Sequence, residues 1–435
     1  MLKGDEIQMA KLTMADMPYH YGIKLRIYPS SQQKKMIKKN SDAYRFVYNH
    51  LVGVNKKIFQ LKKTYLGENQ DELKAEATQE YIDYLKSSIK TGKAIKDRYF
   101  FLRSKSIDSM TLGMSMRAYK ASWNMFKKVH GSKAGVPKFH KKSYNERYQT
   151  ATSYAGKVKQ PNLLNGYFKF IDKHHIKLPK LGVLYCSGMT SKIWNKRELI
   201  RMGTISIKKD ATDRYTISLA LGCETPFVVK VPKTGKQLGI DLNTENFLTD
   251  SNGDKVDNPR YYRKSLKKLK KAQRKLSLRG ERAKKEHRKL TNSKNYQKQR
   301  VEVAKISQKV GAQREHFLHE LSTAVIKNHD FVVAEELRSS NMLKNHALAM
   351  SISDVGWRTF LQQLTYKAEM YDKTFVTVNP KNTTQTCSAC GYLMKGEEKL
   401  TLEDREWNCP QCGIFHIRDH NAAQNILTKG LEQSK

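Results

Sequence analysis

Four cysteines near the C-terminus, Cys387, Cys390, Cys409 and Cys412, form two Cys-x-x-Cys pairs eighteen residues apart, each followed by a glycine (Gly391, Gly413). Two such knuckles can present four thiolates tetrahedrally, which suits zinc because it accepts sulfur and has no redox chemistry of its own. Four protein ligands leave no open position, so this zinc is expected to be structural. His416 follows closely and, with the shell already full, is expected to be a surface histidine. A redox dithiol is the competing use of Cys-x-x-Cys, disfavoured here by two matched pairs with knuckle glycines. Cys186 and Cys223 stand in strand-like text (GVLYCSG, ISLALGC) and read as small buried hydrophobes.

Three acids form a second constellation. Asp241 ends an apolar strand, Glu335 ends the buried strand FVVAE, and Asp419 precedes a terminal helix. Acids at strand ends are commonly solvated and mute. These three are different because an α/β layer with a mixed sheet lays its first and fourth strands side by side, and a C-terminal helix can bring a third carboxylate beside them. Hard oxygen ligands suit magnesium, and a pair of such ions about 3.5–4 Å apart can drive in-line displacement at a phosphodiester. Without metal, three packed anions would repel. Glu336 adjoins Glu335, but strand alternation turns it to the opposite face.

The elements that must position these groups can be followed along the chain. YGIKLRIYP (21–29) alternates like a half-buried strand, and residues 32–128 show apolar residues at helical spacing among many lysines. GVPKFHKK breaks that pattern, and the short runs YFKFID, HIKLP, GVLYC, GTISIKK and YTISLALG then describe a small antiparallel barrel or sandwich. The first strand is expected to join that barrel, with the helices inserted. From about residue 231 a new unit opens: two strands with a Ser251-Asn252-Gly253 turn, basic helices, a helix near 301–328, the strand 330–337, a helix near 354–372, a strand at 374–380 and the terminal helix 420–431.

Charge narrows the partner. The 435 residues carry 81 Lys+Arg against 41 Asp+Glu, a formal net charge of +40. Residues 260–300 alone hold 18 Lys/Arg and two acids, Glu281 and Glu286. Lys267, Lys268, Lys270, Lys271, Arg274 and Lys275 lie on one such helix, whose apolar stripe is Leu266, Leu269, Ala272 and Leu276. Unpaired charge at this density implies a polyanion, and nucleic acid is the default. No run of about eighteen apolar residues exists to span a membrane, and the start MLKGDEIQMAKLTM is charged where a signal peptide is apolar. A cytoplasmic, nucleoid-associated prokaryotic protein with reduced cysteines is expected, as monomer or dimer.

The order GIDLNTENF, NPRYYRKSLKKLKKAQRKLS, FVVAEEL, SISDVGW, TCSACG, CPQCG and RDHNAAQNIL, with RIYPSSQQKKMI, RFVYNHL and GVPKFHKK upstream, resembles the TnpB family of transposon-encoded RNA-guided nucleases, relatives of compact type V CRISPR effectors. The resemblance runs from about residue 21 to the end. It implies a multidomain α+β chain: a split β-barrel (wedge, 21–31 and 131–230) with an inserted helical recognition domain (32–130), then an RNase H-like RuvC domain (231–380 and 417–435) with an inserted zinc ribbon (381–416). Residues 1–20 form an extension that matches nothing in the family. The family's catalytic acids fall on Asp241, Glu335 and Asp419. A noncoding guide RNA would fill the basic channel and pair with one strand of double-stranded target DNA, and the protein would read a short motif beside the target. Ser109, Ser153 and Tyr154 sit near family positions that touch that motif. Segment 60–105 matches poorly, and Ile417 stands where the family often has an acid. A nuclease-inactive guided repressor and a conventional transposase are the alternatives.

Overall fold

The computed structural model describes residues 14–65, 72–129, 135–152, 161–228, 230–336, 356–401 and 403–434. The chain folds as two compact units, Met1–Phe227 and Val228–Lys435.

In the first unit, strand β1 (Tyr19–Tyr28) leads through Pro29 into the long helix α1 (Ser31–Tyr65). The turn between them is a capping box: the Gln33 amide N–H donates to Ser30 Oγ at 3.3 Å, and the Ser30 N–H donates to Gln33 Oε1 at 2.8 Å. Helices α2 (Glu72–Lys90), α3 (Gly92–Arg98) and α4 (Ser109–Lys128) follow. They close a core around Val47, Leu51, Val52, Ile95, Leu102 and Leu112. Strands β2 (Glu146–Ala151), β3 (Lys169–Asp172), β4 (His175–Leu178), β5 (Gly182–Ser187), β6 (Arg201–Lys209) and β7 (Tyr215–Cys223) complete the unit.

These strands form one seven-stranded sheet in the order β2-β6-β7-β1-β5-β4-β3. The N-terminal strand β1 therefore sits in the middle of a sheet built from text far downstream, antiparallel to β7 and β5, as the sequence leads one to expect. The sheet is an open half-barrel, in keeping with the expected split barrel: among the described residues the edge strands β2 and β3 do not pair. The reason is visible at β2. Ser41 of α1 accepts the Arg147 N–H at 2.9 Å and donates back to the Arg147 carbonyl at 3.2 Å, so a helix seals the edge that another strand would have closed. Cys186 and Cys223 are fully buried, as their strand contexts suggest.

The second unit is a five-stranded mixed sheet in the order β10-β9-β8-β11-β12, flanked by helices. Strands β8 (Gln237–Asp241), β9 (Asn246–Asp250) and β10 (Lys255–Asp257) form an antiparallel meander. Helices α5 (Tyr261–Lys285) and α6 (Lys294–Asn328) then pack on each other, and α6 begins seven residues before the expected position 301. Next come β11 (Phe331–Glu335), α7 (Trp357–Tyr371) and β12 (Thr374–Val378). Strand β11 lies parallel between β8 and β12, so the first and fourth strands of the unit are neighbours. A small ribbon carries β13 (Glu406–Asn408) and β14 (Phe415–Ile417), and the chain ends in α8 (Arg418–Gln433).

Two glycines set how closely α8 lies on the sheet. A Cβ on Gly239 of β8 would stand 2.2 Å from the Ala423 carbonyl oxygen, and one on Gly430 of α8 would stand 2.4 Å from a Val333 methyl. No side chain fits at either contact, so the helix backbone rests directly on β8 and β11.

Candidate metal centres and basic helix

The thiolates assemble by local geometry. In each knuckle the glycine N–H donates to the carbonyl of the first cysteine at 2.9 Å (Gly391 to Cys387, Gly413 to Cys409), and both glycines take positive φ, 78° and 70°. The four sulfurs lie within 4.8 Å of one another. Cys387 Sγ is 3.7 Å from Cys412 Sγ, and Cys390 Sγ is 3.6 Å from Cys409 Sγ. A tetrahedral zinc shell with Zn–S of about 2.3 Å needs sulfurs about 3.8 Å apart, while a disulfide needs about 2.05 Å. The donor set therefore fits zinc and excludes bridged cysteines.

His416 is corrected from surface to interior. It is 7% exposed, its ring lies 4.6 Å from that of Trp407, and its Nε2 is 3.1 Å from Cys387 Sγ. Alternation in β14 turns His416 inward opposite Trp407 while Phe415 and Ile417 face out. Burial holds its pKa down, and its ring nitrogen stands within hydrogen-bond reach of the Cys387 sulfur, the position of a group that orients a metal ligand.

The acids assemble by tertiary packing. Asp241 ends β8 one position beyond Ile240, which is in register with Ala334, so Glu335 lies beside it on the neighbouring strand. Asp419 is in the first turn of α8 rather than ahead of the helix. Asp241 is buried, and its pKa is raised well above the carboxylate range by desolvation and by the negative charges of Glu335 and Asp419; Arg418 and a hydrogen bond with Asn243 oppose the rise. Burial also raises Glu335, against a hydrogen bond from Thr383 and the charge of Lys429. Glu336, one residue on, is exposed. The carboxylates are spread more widely than the four sulfurs, which form the one cluster of metal-binding side chains that tight among the described residues. A buried carboxylate repelled by two neighbouring acids fits a hard divalent cation, whose charge would offset the repulsion on Asp241.

Sequence reasoning missed the residues that hold these acids. Thr383 Oγ1 donates to Glu335 Oε1. The Asn425 amide of α8 donates to the carbonyls of Thr383 (2.9 Å) and Thr386 (2.6 Å). Asn421 donates to Thr386 O at 2.8 Å and accepts the Ser388 N–H at 2.8 Å, gripping the loop on both sides of Cys387. Arg405 of the ribbon lies 3.8 Å from Asp419 and 3.2 Å from Glu245. The available signal was the asparagine pair in RDHNAAQN, one helical turn apart and buried. Ile417 is the N-cap of α8 and supplies no side-chain cap.

Lys267, Lys268, Lys270, Lys271, Arg274 and Lys275 are all exposed on α5, whose buried residues include Leu269 and Ala272. Ser109 is exposed at the start of α4, capped by Asp108. Ser153 and Tyr154 lie outside the described residues. No helix among the described residues is long and apolar enough to cross a membrane.

Comparison with known proteins agrees with this picture. A family model described as a probable transposase matches residues 218–346, and the Cas12f1-like TNB domain matches 357–426. A helix-turn-helix domain matches 17–63, where the structure shows β1 and the single helix α1. A Streptomyces pristinaespiralis protein named "Putative RNA-guided DNA endonuclease" is 36% identical over 53% of the chain, which spans 54% of that relative's length. An Escherichia coli protein of the same description, InsQ, is 27% identical over 94% of the chain and 91% of its own length. The TnpB-like protein L770 of Acanthamoeba polyphaga mimivirus is 24% identical over 94% of the chain and 73% of its own. Among solved structures, a Cas12f1–sgRNA–target DNA complex shares the fold at a TM-score of 0.50 and 16% identity, covering 94% of this chain and 98% of that one.

Proposed function

We propose that the chain is a TnpB-like protein, an RNA-guided DNA endonuclease with Asp241, Glu335 and Asp419 as its catalytic acids. The observation that carries this is the convergence of the three acids: Asp241 is buried beside Glu335 on adjacent parallel strands, with Asp419 close enough to raise its pKa. The mixed sheet with α8 laid across it supports reading the second unit as an RNase H-like, RuvC-type nuclease, and the ribbon as its zinc-bearing insert. The open sheet and the helices between β1 and β2 support reading the first unit as wedge and recognition domains.

Magnesium held by the three carboxylates would lower the pKa of the attacking water and stabilise the leaving oxygen of the phosphodiester. The protein's part is to keep the carboxylates placed and dry. Asp241 and Glu335 must be ionised to serve as ligands, and burial opposes that, so cation binding and proton release at the site are linked. Thr383 fixes the orientation of Glu335. Four thiolates with no open position make the zinc structural. The exposed cations of α5 offer a track for phosphates of the guide RNA and target DNA, and base pairing rather than a groove-reading helix would supply sequence choice.

The test is cleavage of matched duplex DNA by the purified protein with its copurifying RNA and magnesium. Asp241→Asn is expected to lower the rate by at least about a thousandfold while RNA and DNA binding stay within about twofold. Full cutting by that variant would defeat the proposal, and strand transfer without added RNA would favour a conventional transposase.

A further inference from the structure

The half-barrel sheet turns Leu25, Ile27, Leu184 and Cys186 inward, where all are buried. Its opposite side departs from an ordinary solvated sheet face. Lys24, Arg26 and Tyr28 alternate outward along β1, and Tyr185 and Lys177 face out on β5 and β4. Cross-strand register sets Tyr28 opposite Tyr185. Their ring centroids are 5.4 Å apart, and His174 stacks on Tyr185 at 5.9 Å with 15° between the planes. The Arg26 guanidinium stands 5.0 Å from the centre of the Tyr28 ring. His175 meets Tyr185 edge-on at 5.5 Å, yet Tyr28 is 47% and Tyr185 46% exposed, so about half of each ring remains open to solvent. Among the described residues no carboxylate pairs with Lys24, Arg26 or Lys177, and the nearby Asp172 is engaged by His175 at 2.8 Å.

A cross-strand tyrosine pair can serve sheet stability alone. That role does not account for two half-exposed rings set in a row of cations lacking counter-ions. Aromatic faces with basic neighbours suit unpaired nucleotides, the bases stacking on the rings while the cations follow the phosphates.

We propose that this face of the sheet, centred on Tyr28 and Tyr185, is a stacking platform for a single-stranded stretch of the RNA partner. The inference rests on the functional reading above. RNA is the occupant because a folded RNA brings unpaired loops and ends to the protein before any target is bound, whereas target DNA arrives as a duplex with its base faces stacked; the DNA strand displaced later is the alternative that the oligothymidine arm tests.

The experiment uses the full chain stripped of RNA, a ten-nucleotide oligouridine probe and fluorescence anisotropy. It is paired with ultraviolet crosslinking of the native RNA-bound protein. Changing both Tyr28→Ala and Tyr185→Ala is expected to weaken oligouridine binding about tenfold or more, and the Tyr→Phe pair to stay within about twofold. Uridine adducts are expected on peptides carrying Tyr28 or Tyr185. If the alanine pair melts early, the Tyr→Leu pair keeps apolar bulk without a ring face and carries the same expectation. Unchanged affinity in both the alanine and leucine pairs, or adducts confined to other surfaces, would overturn the platform. Tyrosine-dependent binding of oligothymidine but not of oligouridine would overturn it in favour of DNA. Wild-type protein that neither copurifies with RNA nor binds the probe would instead sink the functional reading itself.

Discussion

The thiolate cluster and the carboxylate cluster are both built from side chains on separate elements of the second unit, yet they are made in opposite ways. Each half of the thiolate site is a knuckle closed by hydrogen bonds within five residues, so half the geometry is set by contacts local in sequence. The carboxylate site has no local half. Asp241, Glu335 and Asp419 meet because β8 and β11 are parallel neighbours and because two glycines let α8 lie on them. The first site is closed and stiff, as a structural metal requires. The second holds repelling charges in a buried place, a strained arrangement of the kind found at working sites.

The two sites are also joined. Asn421 and Asn425 tie α8, which bears Asp419, to the loop that contains Cys387, and Thr383 of that loop grips Glu335. The largest expected effect therefore comes from breaking the stiff partner. Cys409→Ser should abolish zinc retention, measured as metal per chain, and leave the ribbon unprotected in hydrogen exchange. Zinc-finger peptides gain about 10–16 kcal/mol from their metal, far more than the ribbon's small apolar cluster supplies. Protection in α8 should fall with it, and DNA cleavage with that. Unchanged exchange in α8 after zinc loss would show that the sites are independent.

A smaller effect separates the link from the metal. Thr383→Val keeps the bulk of the side chain and removes the hydroxyl that orients Glu335. Zinc should remain at one per chain while cleavage falls about tenfold to a hundredfold, the range seen when the partner of a metal ligand is lost. Wild-type rates in this variant would reduce Thr383 to a packing residue.

The smallest effect concerns stability. The folded pKa of Asp241 lies above its unfolded value, so between the two the native state binds more protons than the unfolded chain. Its contribution to stability is therefore present at acid pH and is lost as pH rises through that window. In magnesium-free buffer at pH 7, Asp241→Asn should melt a few degrees above wild type, with the gap closing toward pH 4. Added magnesium should raise the wild-type melting temperature and leave the variant nearly unmoved. The reverse order at pH 7 would mean that the charges are already compensated by the protein.

Several of these features were legible in the residues and others were not. Knuckle spacing announced the four clustered thiols, and apolar runs located the strands that end in Asp241 and Glu335. The pairing of β1 with strands far downstream followed from its being a strand with no early partner, while its central place came only from the sheet order. The same reading put His416 on the surface, because with four sulfurs counted nothing in the sequence called for a fifth group, and only the β13–β14 register turned it toward Cys387. Nor does the text of α1 signal that Ser41 will satisfy both backbone groups of Arg147 at the open edge of the sheet.

By itself, then, the sequence determined what depends on short-range order: ligand spacing, strand and helix periods, the basic load on α5 and the ends at which acids would sit. Tertiary structure alone decided which way those side chains face, how near the three carboxylates come, and that Thr383, Asn421 and Asn425 bind the thiolate and carboxylate clusters together. The physical reason is that periodicity fixes direction along one element, whereas charge coupling, desolvation and hydrogen bonding across elements depend on separations of a few ångströms that exist only after packing.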